Sequence, residues 1–203
     1  MKKTRLLSLL LALMTGLALL SGCTPKAPPL EIEAEVALAV VKDLVPRSYE
    51  MNMLFFGRGL PLSEAPTKDE NQTEYIAVTD DCGYASIKEI KTAAEKVYSK
   101  RYLNGVYVAA FVGVTSVGED GGLDASVSPR YREIGGKLTM DAHTTVNTNM
   151  RGRLTVEAVT VESSTAEYVT TTVLCKTEDG QSVTMTVLLA YENGVWLLDS
   201  PTY

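Results

Sequence analysis

TEDGQSVTMTVLLAYENGVWLLDS, residues 177–200, decides the fold. Asp179-Gly180 and Asn193-Gly194 are the dipeptides that tight hairpin turns demand, because both tolerate positive φ. Between them Val183, Met185, Val187, Leu189 and Tyr191 alternate with smaller or polar residues. That two-residue period predicts one buried face of an antiparallel sheet. The pattern extends upstream. EYVTTTVLCKT (167–177) and LTVEAVTVE (154–162) are strands joined through Ser163–Thr165, with Arg151-Gly152 ahead of the second. Gly135-Gly136 turns RYREI (130–134) into KLTMDAHTTV (137–146), and VYVAAFVGVTSV (106–117) is predicted as a long first strand.

Ahead of the strands the period changes. EIEAEVALAVVKDLV (31–45) sets Ile32, Val36, Val40 and Leu44 four apart on one helical face. Glu31, Glu33 and Glu35 crowd its first turns, where the helix dipole favours negative charge. Pro46 should end or kink this helix, and RSYEMNMLFFGRGLP (47–61) adds a turn or two before Gly57 and Gly59 stop it. The span from Ser63 to Thr73 is expected as a polar loop. Ser86 and Glu89 form a capping box for a second helix. Its apolar stripe is Ile87, Ile90, Ala94, Val97 and Tyr98, and Asn104-Gly105 is its stop. Lys88, Lys91 and Lys96 lie off that stripe, on a solvated face. The whole predicts an α+β fold. Two N-terminal helices pack on a twisted antiparallel meander sheet of about six to seven strands.

The N-terminus carries a different signal. Lys2, Lys3 and Arg5 precede the apolar run LLSLLLALMTGLALL (6–20). Fifteen helical residues span about 22 Å, short of the roughly 30 Å of a bilayer core, so the run is an export signal. Leu20-Ser21-Gly22-Cys23 resembles the lipobox of bacterial lipoproteins, which implies cleavage before Cys23 and lipidation of its sulfur. Residues 1–22 are then the signal peptide, 23–30 a lipidated N-terminus with a Pro-rich spacer, and 31–203 one extracytoplasmic domain. Without the leader 16 basic residues face 25 acidic ones, a formal charge of −9. So acidic a domain is poorly suited to nucleic acid and other polyanions. Its expected location is the extracytoplasmic face of the cell membrane, anchored through Cys23. Cys82 and Cys175 are open to two readings, a disulfide or two free thiols.

Catalysis is constrained by the single histidine, His143. In LTMDAHTT, Leu138, Met140 and Ala142 point one way while Thr139, Asp141 and His143 point to the polar side, a place for a surface histidine. Neither Cys82 nor Cys175 has the surroundings of a nucleophile. GVTSVG (113–118) has the spacing G-x-x-S-x-G rather than that of a nucleophile elbow. A structural zinc needs four Cys or His ligands, and with Cys23 in the anchor the mature domain offers two cysteines and one histidine. GEDGGLDAS (118–126) and DENQTE (69–74) lack the ligand pattern of an EF-hand calcium loop. No phosphate-binding or dinucleotide-binding glycine motif is present. The expectation is a protein without catalytic residues, metal ligands or cofactor. The weak candidates for partner contact are Glu119, Asp120 and Asp124 in the acidic loop Gly118–Ser126, which could reach into a basic groove. Among the ten tyrosines, Tyr98, Tyr102, Tyr107 and Tyr131 are expected at core margins or lining a pocket.

Several segments together resemble the DL-endopeptidase inhibitor family of exported bacterial proteins, which restrain cell-wall hydrolases. They are the first helix running into MLFFGRGLP (53–61), YASIKEIKTAAEKVYSKRY (84–102), REIGGKL (132–138) and ENGVWLLDSPTY (192–203). The resemblance implies a non-catalytic inhibitor of a peptidoglycan hydrolase, and it carries over no individual residue. The last strand is also similar to that of small lipoproteins with cone-like, nuclear-transport-factor-2-like folds, which implies the alternative of a small-molecule or lipid-binding module.

Overall fold

The computed structural model describes residues 32–117 and 123–203. Cys23, the leader and the spacer lie outside the described residues. A 22-residue helix, α1 (Ala34–Phe55), begins at Glu33 and runs through Pro46 without ending there. Its buried set is Ala37, Val41, Leu44, Val45, Ser48, Met51, Asn52, Leu54 and Phe55. The expected stripe is therefore corrected: Val36 is 45% exposed. A strict four-residue spacing advances about 40° too far around a 3.6-residue helix at each step, so a real buried face mixes steps of three and four.

The second helix is shorter than expected. In α2 (Ile87–Ala94) Ser86 Oγ accepts from Glu89 N at 3.2 Å, while Glu89 Oε2 takes the Ala85 N–H rather than that of Ser86. Ile90, Ala94, Val97 and Tyr98 are buried as the stripe predicts. The helix nevertheless breaks after Ala94, because Val97–Ser99 bonds to the last strand: Leu198 N donates to Val97 O and Ser99 N to Leu198 O. Ser99 then caps a third helix, α3 (Lys100–Tyr107), which continues into a π-helical turn, Val108–Val112. The long first strand over 106–117 is thus corrected. Leu103, Val106 and Ala110 are buried at helical spacing, and that packing outweighs the β-propensity of the valines. Lys91 does not sit on a purely solvated face either, since its Nζ lies 5.1 Å from the Tyr107 ring centre and 5.2 Å from that of Phe111.

Ten strands form three separate antiparallel groups among the described residues, where one meander was expected. The strands β7 (Leu154–Ser164), β8 (Tyr168–Thr177), β9 (Ser182–Glu192) and β10 (Val195–Leu198) make the predicted meander, in the order β10-β9-β8-β7. Its inner face carries Val156, Val169, Val173, Cys175, Met185, Val187 and Leu189, and α1 lies across it against β7 and β10. A second sheet, in the order β1-β2-β6-β5, combines β1 (Leu62–Lys68), β2 (Glu74–Val78), β5 (Tyr131–Ile134) and β6 (Lys137–Asp141). Here β1 replaces the expected polar loop. It is an edge strand with Pro66 in it, so backbone pairing with β2 and not an apolar face defines it. The turn into β2 is built on buried Asp69, whose Oδ1 accepts from Asn71 N and Thr73 N at 2.9 and 2.8 Å while its Oδ2 meets Arg132. On β6 Thr139 is buried beside Leu138 and Met140, which corrects its placement on a polar face. The third group is the hairpin of β3 (Val114–Val117) and β4 (Leu123–Val127).

A knot of polar side chains is buried where α1 meets the chain's end. Tyr98 OH donates to Asn52 Oδ1 at 2.6 Å, Asn52 Nδ2 donates to Thr202 Oγ1 at 2.8 Å, and Ser48 Oγ lies 2.7 Å from Thr202 Oγ1. Thr202→Val leaves Asn52 and Ser48 short of a partner and should cost about 1–3 kcal/mol, seen as a fall of several degrees in Tm. A second expectation concerns alkali. Burial pushes the hydroxyls of Tyr75 and Tyr98 from 10 up to about 12. A folded value above the unfolded one means that the stabilisation is complete below pH 10 and is lost as pH rises through about 12. Denaturant midpoints should therefore fall over that window, and less steeply in Tyr98→Phe.

Candidate functional site

The C-terminal end of α1 shapes one wall of a cleft. A helix leaves its last carbonyls without internal partners. Here Tyr131 OH donates to Leu54 O at 2.8 Å and Arg130 Nη2 donates to Gly57 O. Both come from the entry to β5, so the second sheet is fastened to the helix end by its own side chains. The chain then turns sharply through Gly59, at φ +77°. A Cβ there would stand 2.3 Å from Met140 Sδ, 2.9 Å from Arg130 Nη2 and 3.0 Å from Tyr131 OH. Only glycine allows this close approach.

Two clefts open beside this turn, separated by the loop from Thr79 to Ala85. The first, of about 600 Å³, has an apolar wall of Met51, Met53, Leu54, Leu60 and Pro61 and a polar rim of Glu50, Arg58, Cys82 and Tyr84. The second, of about 580 Å³, lies between the loop and the β5–β6 turn and is lined by Thr79, Asp80, Glu89 and Lys137 among others. Tyr84 lines both. Burial, then the neighbouring Glu50 carboxylate and Cys82, push its hydroxyl above the usual tyrosine value. Volumes of this order fall within the range of small-ligand sites.

The cysteines are both free thiols, so the disulfide alternative is not realised. Cys175 is buried in β8, and burial raises its thiol above the ordinary value. Cys82 is half-buried on the loop, its Sγ donating to Tyr84 O at 3.0 Å. His143 is 73% exposed and reaches only Asp141, at 3.9 Å. Of the expected tyrosines, Tyr98 and Tyr131 are core residues; Tyr102 and Tyr107 are half-buried, and Tyr102 stacks on Tyr98 at 4.7 Å.

The expected loop Gly118–Ser126 is corrected in part, since Leu123–Ser126 belong to β4. Glu119 and Asp120 lie outside the described residues, as does the side chain of Asp124. The β3–β4 hairpin pairs with neither four-stranded sheet. Val114 and Val127 are opposite one another in its register. With Val108 and Val112 of the π-helical turn they form an exposed apolar patch, Val112 being 71% and Val127 64% exposed. Gly113, at φ +83°, makes the junction, with Val127 O only 2.6 Å from where a Cβ would be. Sequence reasoning found neither the cleft nor the patch. The run GRGLP before the strands was the available signal for the first, and the surplus of valines around a lone glycine for the second.

No known family model matches the chain, and no curated protein matches it.

Gly59→Ala should destabilise the fold by about 1–3 kcal/mol through backbone strain and collision with Met140. Thermal unfolding measures this, and an unchanged Tm would show that the turn tolerates a side chain.

Proposed function

We propose that the chain is a membrane-tethered extracytoplasmic lipoprotein, held through lipidated Cys23, that acts without catalysis by binding and inhibiting a peptidoglycan DL-endopeptidase. The observation that carries this reading is the β3–β4 hairpin with its collar of exposed valines. Exposed apolar side chains grouped on one surface mark partner sites, since removing them from water favours association. A narrow hairpin outside both sheets has the shape that enters an enzyme cleft. In sequence Glu119, Asp120 and Asp124 fall between Val117 and Val127, a charge complement to a basic groove. The resemblance of MLFFGRGLP, REIGGKL and ENGVWLLDSPTY to the inhibitor family supports the same reading.

A second reading, a small-molecule or lipid-binding module of nuclear-transport-factor-2-like type, is favoured by the cleft of about 600 Å³ beside Arg58 and Tyr84.

Titration of a purified DL-endopeptidase separates these. Wild-type chain should inhibit it, and Val112→Asp combined with Val127→Asp should weaken inhibition at least about tenfold with an unchanged Tm. Absence of inhibition by wild type sinks the inhibitor reading; undiminished inhibition by the double variant moves the contact off the hairpin. Cys23→Ala should transfer the chain from the membrane to the soluble fraction, and its retention in the membrane would refute the lipid tether.

A further inference from the structure

The chain as a whole has 25 acidic residues against 19 basic ones. Two charged side chains line the first cleft, Arg58 and Glu50, and Glu50 is paired with Arg153. Arg58 is exposed on the rim, and Arg130 lies behind Gly59 without lining the cleft. Among the described residues no carboxylate lies within ion-pair distance of Arg58 or Arg130. The acids of the adjoining loop do not restore the balance, as Asp80 faces the second cleft and Asp81 lines neither.

Arg130 is the unusual member. It is only 5% exposed, and a buried charge ordinarily has a counter-ion. What it has is the carbonyl of Gly57, just beyond the C-terminal end of α1, while its Nε has no acceptor. A carbonyl dipole is not a counter-ion, so positive potential from Arg130 is left to act on its surroundings. Gly59 lets that charge come close to the cleft wall, with Nη2 just 2.9 Å from the glycine's missing Cβ. The buried side chains of Met51, Leu54 and Leu60 supply an apolar wall beside it.

We propose that this cleft binds a small apolar carboxylate, with Arg58 pairing to the carboxylate, Arg130 supplying positive potential from below, and the Met51–Leu60 wall taking the apolar group. A peptide C-terminus and a simple carboxylic acid share this chemistry. The site is independent of the hairpin and goes beyond the inhibitor reading, so either can fail without the other.

Isothermal titration of the purified full chain tests it with three probes: N-acetyl-leucine, its amide N-acetyl-leucinamide, and hexanoate. N-acetyl-leucine should bind at millimolar concentration or below, and the amide about tenfold more weakly or worse. Arg58→Gln, on an exposed side chain that the fold does not need, should reproduce that tenfold loss; Lys88→Gln, on a remote helix face, should not. Hexanoate as tight as N-acetyl-leucine assigns the site to simple carboxylic acids, and weaker hexanoate binding assigns it to peptide termini; both uphold carboxylate recognition. No binding of either carboxylate at millimolar concentration, equal binding of the amide, or full binding by Arg58→Gln overturns the proposal.

Discussion

Four buried side chains, Ser48, Asn52, Tyr98 and Thr202, hold together parts of the chain that are more than a hundred residues apart. They join the middle of α1, the break between α2 and α3, and the segment after the last strand. The location explains why polar groups are kept there. An apolar contact would hold the helix on the sheet in many rotations, whereas these hydrogen bonds are made in one. Within a low-dielectric interior each bond strengthens its neighbours, and a partner left without a bond is costly. The same place carries the parallel contact between Tyr98 and Leu198, so the helix break and the end of the meander are defined together.

From this fixed point α1 extends to its C-terminus, where it meets the other sheet. Tyr131 occupies the Leu54 carbonyl in the last turn of the helix and Arg130 that of Gly57 just beyond it, and Gly59 lets the chain turn against them. The helix thus forms one wall of two unlike neighbourhoods: a dry one against the meander and a polar one at its end. The cleft, with its methionine and leucine wall and Arg58 on its rim, follows from how this helix terminates. The hairpin of β3 and β4 has another origin. The π-helical turn inserts one extra residue, Gly113 at positive φ leads into β3, and Val112, Val114 and Val127 are left exposed around that junction.

Local signals were legible wherever backbone chemistry is dictated by one or two residues. Asn193-Gly194 and Gly135-Gly136 make the turns they announce, all four residues having positive φ. The Ser86 cap, the alternation of Met185, Val187 and Leu189, and the burial of Ile90 and Ala94 on one helical face were legible for the same reason. The failures share a cause as well. The run from Val106 to Val112 has strand-like composition, yet Leu103, Val106 and Ala110 bury one helical face. LSEAPTK has no period at all, and only its partner strand makes it a strand. Burial on both faces of β6 likewise depends on what covers Thr139 from outside its own segment.

The sequence by itself determined the α+β class of the fold, the hairpin turns of the C-terminal strands, and the start of the helix capped by Ser86. These depend on interactions between residues a few positions apart, which spacing and turn chemistry express directly. Tertiary structure decided the rest: three helices instead of two, separate sheets instead of one, free thiols at Cys82 and Cys175, and a cleft with Arg58 on its rim. Each of these depends on groups distant in sequence meeting in space, as Arg130 meets Gly57 and Thr202 meets Asn52. No local pattern records such a meeting, because the free energy that favours it exists only once both partners have been removed from water.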